Sequence, residues 1–272
     1  MALLSSRSLG RLHDNSGTLR MTWDVCALAD RPEYGDLIDD LAEDSWPEFM
    51  LHGDTSNWGL LFDELARYQL LFVGTDGKLM AVGHTAPITW DGTLEDLPES
   101  LFAVLARSHD GQTSQQAPNT ICALAAIVAR PCRGQGLSAE IIRQMISLAA
   151  ETECDYLIAP VRPTLKDRYP LVPMDEYAHW TAPNGEAFDP WIRVHIRLGG
   201  EILNVVNSTL EVKGTVSEWE SWTGMVFPGS GQYIVPGALV PVEIDRALDM
   251  GTYHDPNVWM KHTVASKVDR SD

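Results

Sequence analysis

The spacing of apolar and polar positions along the chain predicts alternating strands and helices. Leu19 to Leu28 alternates around Met21, Trp23 and Val25 as a strand that Asp30-Arg31-Pro32 ends. Asp36 to Phe49 places Leu37, Leu41 and Trp46 on one helical face, with Pro47 disturbing its end. Thr55 to Tyr68 predicts a second helix, capped by Thr55 or Ser56, with Leu61, Leu65 and Tyr68 inward. Leu70–Gly74 and Leu79–Ile88 flank Asp76-Gly77 and predict a hairpin, because glycine adopts the positive φ that a tight turn needs. Leu94 to Arg107 predicts an inserted helix, followed by a polar loop from Asp110 to Asn119.

An apolar strand, Ile121 to Val128, then runs into a short basic loop bearing glycines. A helix follows at once, with Leu137, Ile141, Met145 and Leu148 on one face. Further on, Tyr156 to Val161 predicts a strand, and 168–185 an irregular stretch with a helical piece near Met174 to Trp180. Asp189-Pro190 opens a helix, by the preference for a capping carboxylate and a proline in the first turn, and Gly199-Gly200 closes it. Glu201 to Val206 and Gln232 to Ile244 are two further strands.

The strand, glycine loop and helix around Val128 form an anion cradle. Such an arrangement points several backbone N–H groups and a helix N-terminus at one spot, and Arg133 adds a charge there. The run Arg133-Gly134-Gln135-Gly136-Leu137-Ser138 resembles the acyl-CoA signature of the GNAT acetyltransferases, Arg/Gln-x-x-Gly-x-Gly/Ala after a strand ending in Val. Two departures are Ser138 in place of the final small Gly or Ala, and Pro131 one residue later than the family's common proline. The resemblance implies that Arg133, Gly134, Gln135, Gly136, Leu137 and Ser138 hold the CoA pyrophosphate. It implies that backbone groups of Ala126, Ile127 and Val128 pair with pantetheine and orient the thioester. It also implies the fold: α/β, with a central mixed, mostly antiparallel twisted sheet flanked by helices. On this reading residues 1–17 are a flexible arm and residues 18–272 a single acyltransferase domain, with an insertion at about 91–119 and a divergent extension from about 207.

Composition narrows the function. Twenty Lys and Arg against 38 Asp and Glu give a net charge of −18, which argues against nucleic-acid partners and favours small cationic molecules or amines by steering. Four cysteines without metal-ligand spacing indicate neither a zinc site nor a disulfide framework, so no metal is expected. No apolar run reaches the roughly 18 residues of a membrane span, and a cytoplasmic enzyme, monomer or homodimer, is the expectation.

Acyl transfer to an amine needs a polarised carbonyl, a deprotonated amine and a leaving thiolate. Backbone N–H groups at Ile127 or Val128 are the candidate polarisers. In GNAT enzymes the helix near Pro190 often carries a tyrosine acid four residues before its glycine; here that slot holds His195, with Tyr169 and Tyr177 as competitors. The strand before the loop has no carboxylate, so the base is sought at Glu48, His52, His84 or Glu218. Trp180, Trp191, Trp219 and Trp222, with Phe188 and Phe227, are either core or the lining of an acceptor pocket. Arg162, Lys166 and Arg168 could meet an acidic substrate or the CoA 3′-phosphate. The expected activity is N-acetylation of a small-molecule amine by direct attack on acetyl-CoA, or another acyl-CoA, in a ternary complex. The alternatives are decarboxylation of a malonyl-type thioester on the same fold and a non-catalytic acyl-CoA-binding module.

Overall fold

The structure is a computed structural model that describes residues 10–13, 19–54 and 56–264. Its strands are β1 (Gly10–His13), β2 (Leu19–Ala27), β3 (Leu70–Gly74), β4 (Leu79–Ile88), β5 (Thr120–Val128), β6 (Tyr156–Val161), β7 (Glu201–Gly214), β8 (Gly231–Tyr233), β9 (Val242–Asp245) and β10 (Met250–Thr263). Its helices are α1 (Gly35–Glu43), α2 (Leu101–Thr113), α3 (Leu137–Glu151), α4 (Met174–Ala178), α5 (Pro190–Arg197) and α6 (Val216–Thr223), joined by short 3₁₀ turns.

All ten strands share one sheet, ordered β1-β2-β3-β4-β5-β6-β10-β9-β8, with β7 on the other edge of β10. Every pairing is antiparallel except that of β5 with β6. That parallel ladder is short: Thr120, Ile121 and Cys122 pair with Tyr156, Leu157 and Ile158. Beyond it β5 stays with β4 as far as Val128, while β6 stays with β10 as far as Val161. The two strands therefore splay apart. A bulge aids this: His84 faces Ala125 and Thr85 faces Ala123, so Leu124 is an extra residue that twists β5.

α3 covers one face of the sheet so closely that a Cβ at Gly83 would lie 2.8 Å from Met145 Cε. Strand alternation turns the next residue, His84, to the opposite face, where α1 and α2 pack. A main core of apolar side chains fills both sides, and a second one gathers Phe49, Val212, Trp219, Phe227, Ile244 and Tyr253 beneath the C-terminal strands.

Several expectations need correction. Within the expected arm, Gly10–His13 pairs with β2, and residues 1–9 and 14–18 lie outside the described residues. α1 stops at Glu43, before Pro47, and buries Ile38 and Leu41 while Leu37 is 44% exposed. The second helix is replaced by two 3₁₀ turns, Trp58–Phe62 and Ala66–Tyr68; Gly59 weakens a helix there, and Thr55 is outside the described residues. The inserted helix begins at Leu101, capped by Ser100, after Pro98 has passed. The expected strand from Gln232 to Ile244 is broken into β8 and β9, with Pro236 and Pro241 between them. The extension from about 207 contributes the end of β7 and all of β8, β9 and β10 to the same sheet. No helix is long and apolar enough to cross a membrane among the described residues.

Asp189 ties the helix carrying His195 to the loop after β6 and to α4. Its Oδ1 accepts from the N–H groups of Trp191 (2.9 Å) and Ile192 (3.3 Å), the expected cap. Its Oδ2 accepts from Leu165 N–H and from the Tyr177 hydroxyl, both at 2.9 Å. Asp189→Ala leaves these buried donors unpaired and is expected to cost about 2–4 kcal/mol, lowering the thermal midpoint by roughly 5–10 °C. A melting curve that superimposes on that of the unmodified protein would contradict this role.

Candidate active site

Two cavities meet where β5 and β6 part. One, of about 360 Å³, lies on the α3 side between Ala123–Val128 and 159–164, against Ser138, Ile142 and Met145 of α3 and Trp191 and His195 of α5. The other, of about 400 Å³, lies on the α1 and α2 side and is entered past Asp39, Glu43 and Asp54. Trp46, Leu124, Ala125, Ile127, Pro160 and Arg162 line both. The splay is thus a window between two chambers.

The glycine loop lies at the first chamber. Gly134 (φ 74°) and Gly136 (φ 85°) adopt left-handed conformations that only glycine takes without strain, and Gly136 is the N-cap of α3. Among the described residues, no backbone carbonyl accepts from the N–H groups of 134–138, so the first turn of α3 presents free donors. Arg133 bridges the loop to its surroundings, donating to Val128 O (3.0 Å) and Ser45 Oγ (3.1 Å), and it lines the chamber. Gln135 turns back onto Pro131 O at 3.1 Å.

Ala129 N–H donates to Met80 O on β4. Alternation along β5 then turns the backbone groups of Val128 and Ala126 toward the open edge, and those of Ile127 toward β4. Of the two polarisers expected, Val128 therefore has the free N–H; Ile127 contributes its position in the wall between the chambers.

His195 is buried and lines the first chamber, but its hydrogen bonds do not suit an acid. Leu198 O can only accept, so His262 Nδ1, 3.4 Å away, carries a proton, and its Nε2 accepts from His195 Nδ1 at 3.0 Å. His195 Nε2 is left as an unpartnered lone pair. Burial, then the neighbouring His262, pull its pKa down to about 3, so it holds no second proton near neutrality. Tyr177 donates to Asp189, burial pushes its pKa up, and it packs with Tyr169, Trp180 and Phe188 in a closed aromatic cluster. Lys166 is buried too, its Nζ donating to Tyr169 O and Leu239 O.

His84 projects into the second chamber. Gln69 Nε2 donates to Leu65 O and Thr85 O, which fixes its amide orientation and leaves Oε1 to accept from Thr85 N–H. His84 Nδ1, 3.0 Å from that Oε1, must then carry the proton. Its Nε2 is a lone pair in a chamber wall, beside Trp58 at 5.5 Å between ring centroids. Burial lowers its pKa to about 4.

The other candidates for the base lie elsewhere. Glu48 is exposed and pairs with His52 at 3.2 Å, outside both chambers. His52 stacks on Trp222, and Glu218 closes a capping box with Thr215 on α6. The stretch Glu218 to Trp222 is therefore helical rather than extended, and Trp219 sits in the second core. Of the aromatics expected at a pocket, Trp191 lines the first chamber; the other aromatic walls are Trp46, Trp58 and Phe102.

Asp39, Glu43, Trp58, Asp255 and Asn257 escaped the sequence reading, yet all line the second chamber. Asp39 and Glu43 stand one helical turn apart on α1, a spacing legible in the sequence once α1 is known to roof a cavity. Burial, followed by Asp36 and Asp40, raises the Asp39 pKa, as expected of a carboxylate with no cation beside it.

Comparison with known proteins agrees with this geometry. No family model matches the chain. The loading GNATL domain of CurA from Lyngbya majuscula superimposes with a TM-score of 0.61, covering 89% of this chain and 98% of that one at 14% identity. The GphF GNAT-like decarboxylase in complex with isobutyryl-CoA gives 0.56, covering 86% and 97% at 14% identity. At those identities the likeness is one of fold. The arginine N-acetyltransferase avaD of Aspergillus versicolor is 30% identical over 249 residues, 80% of this chain and 85% of that protein. A splayed β5–β6 pair, a glycine loop that opens α3, and this relative together show that the chain belongs to the GNAT N-acetyltransferases, enzymes that move an acyl group from acyl-CoA to an amine.

Proposed function

We propose that the protein N-acetylates a small cationic amine of the arginine type, with acetyl-CoA in the α3-side chamber and the acceptor in the α1-side chamber. The observation that carries this is the shared wall: a thioester and an amine in neighbouring chambers can meet only through the gap between β5 and β6. An acceptor of that charge suits the acidic rim of Asp39, Glu43 and Asp54 and the aromatic face of Trp58. The name of the Aspergillus versicolor relative points the same way.

In this scheme the amine nitrogen attacks the thioester carbon, the C–S bond breaks, and CoA leaves as a thiolate. Val128 N–H faces the open edge and is placed to receive the carbonyl oxygen as it gains charge. The proton lost by nitrogen passes to His84 Nε2, whose tautomer Gln69 fixes. A base with a pKa of about 4 is weak, but the nitrogen is far more acidic once bonded to the carbonyl carbon than in the free amine. A thiol of ordinary pKa about 8.5 leaves as thiolate without an obligatory acid, and His195 offers none. His195 Nε2 is buried away from the open chamber, so the residue serves as wall beside Trp191. Decarboxylation of a malonyl-type thioester needs no second chamber, so the paired cavities favour amine acetylation.

Thiol release on acetyl-CoA with arginine, against glutamate as a control, tests the scheme. Turnover with arginine alone is expected, and Asp39→Asn with Glu43→Gln should lower its kcat/KM roughly tenfold, the scale of two exposed charge pairs. Equal turnover of glutamate would contradict it. For the cradle, Gly136→Glu should abolish acetyl-CoA binding in titration; undiminished affinity would move the pyrophosphate elsewhere.

The low pKa of His84 also sets a pH dependence. The neutral, proton-accepting form persists as pH falls until about 4. Activity should therefore show no loss near pH 6.5 that disappears in His84→Gln, while that variant loses about a hundredfold in kcat. An inflection near 6.5 that vanishes with the imidazole would contradict the assignment.

A further inference from the structure

Arg162 projects from the end of β6 into the wall that both chambers share, with 18% of its side chain exposed. Two of its three nitrogens are occupied. Nε donates to Asp255 Oδ1 at 3.0 Å and Oδ2 at 3.2 Å, and Nη2 donates to Gly237 O at 2.8 Å. Nη1, with two protons, donates to no group among the described residues, nor is it sealed from the cavity.

The counter-ion cannot swing across to satisfy Nη1. Asp255 is also held by the Tyr253 hydroxyl at 2.5 Å and by Asn257 Nδ2 at 2.9 Å. Burial works against the Arg162 charge, but Asp255 and Tyr253 together more than offset it, so the guanidinium stays charged. The result is a rigid cation in the wall common to both chambers, with Nη1 left to a ligand.

The chamber therefore carries opposite signs on different walls. Asp39, Glu43 and Asp54 give the α1 side a negative rim, and Arg162 gives the sheet a positive donor, with Ile38, Trp58 and Leu101 among the apolar lining. A ligand that matches both walls is a zwitterion with a further cationic group on a flexible stem.

We propose that Nη1 of Arg162 receives the α-carboxylate of the acceptor, so that the enzyme selects α-amino acids over the corresponding amines and acetylates the α-nitrogen. This rests on the reading that a cationic amine occupies the α1-side chamber, and it adds what fixes the reacting end. Carboxylate capture at Arg162 sets the α-nitrogen one carbon away from the anchor, at the window lined by Leu124, Ala125 and Ile127. The stem then points the cationic group at the rim.

The test compares kcat/KM for arginine with that for agmatine, which keeps the guanidinium and the equivalent nitrogen but lacks the carboxylate. In parallel, norleucine is compared with pentylamine, a pair without a second cation. A charge-assisted hydrogen bond predicts an advantage of about 10- to 100-fold for the carboxylate in both pairs. In the double variant Arg162→Gln, Asp255→Asn, which avoids leaving Asp255 buried without its cation, both ratios should fall to about one. Circular-dichroism melting confirms that the variant is folded. Ratios near one in the unmodified protein overturn the anchor, as do ratios that survive the double substitution. Equal losses for acid and amine would also overturn it and assign Arg162 to the thioester instead. Failure of the proposed acceptor class looks different: arginine would then show no advantage over norleucine, whatever the carboxylate ratios are.

Discussion

Two neighbouring strands, β5 and β6, diverge, and both cavities owe their shape to that divergence. β5 and β6 are the one parallel pair, and their ladder ends after Cys122 and Ile158. Each is then held by a different neighbour, β5 by β4 and β6 by β10, so neither can close the gap. Open strand edges expose backbone donors that must find partners. Here the free edge is placed between two cavities, and its groups are available to a thioester. The bulge at Leu124 and the close seat of α3 on Gly83 hold the geometry.

The C-terminal part of the chain keeps that gap open and furnishes one side of the α1-side chamber. β10 pairs with β6, β7 and β9 along different parts of its length, and the second core packs beneath it. From this scaffold come Asp255, Asn257, Thr209 and Leu210 in the chamber, and Gly237 O behind Arg162. The same region fixes Lys166 through Leu239 O. The C-terminal strands thus shape the cavity on the α1 side.

What was legible in the sequence was local. The glycine loop, the Asp76-Gly77 hairpin and the Asp189-Pro190 helix start each depend on residues a few positions apart, and each appears where expected. β10 was missed because its neighbours bury it from both sides, which erases alternation, and because Pro256 interrupts it. That proline sits where the register with β7 shifts between Asp255 and Asn257, a bulge that tolerates a missing N–H. The acceptor chamber was illegible for a different reason. Arg162 and Asp255 are 93 residues apart, and Asp39 and Glu43 look like the solvated face of any amphipathic helix. His84 was visible only as a candidate, since the proton on its Nδ1 is fixed by Gln69 and Thr85, 15 and one residues away.

The two chambers share lining residues across the β5–β6 gap, so ligands in them should be joinable. A bisubstrate ligand, CoA joined through an acetyl bridge from sulfur to the α-nitrogen of arginine, tests it by calorimetric titration. Linking two ligands whose sites adjoin raises affinity by an effective concentration in the millimolar range or above. Binding at least about a hundredfold tighter than that of CoA alone is expected. Affinity no better than that of CoA, with arginine still able to bind alongside, would mean that the chambers do not communicate.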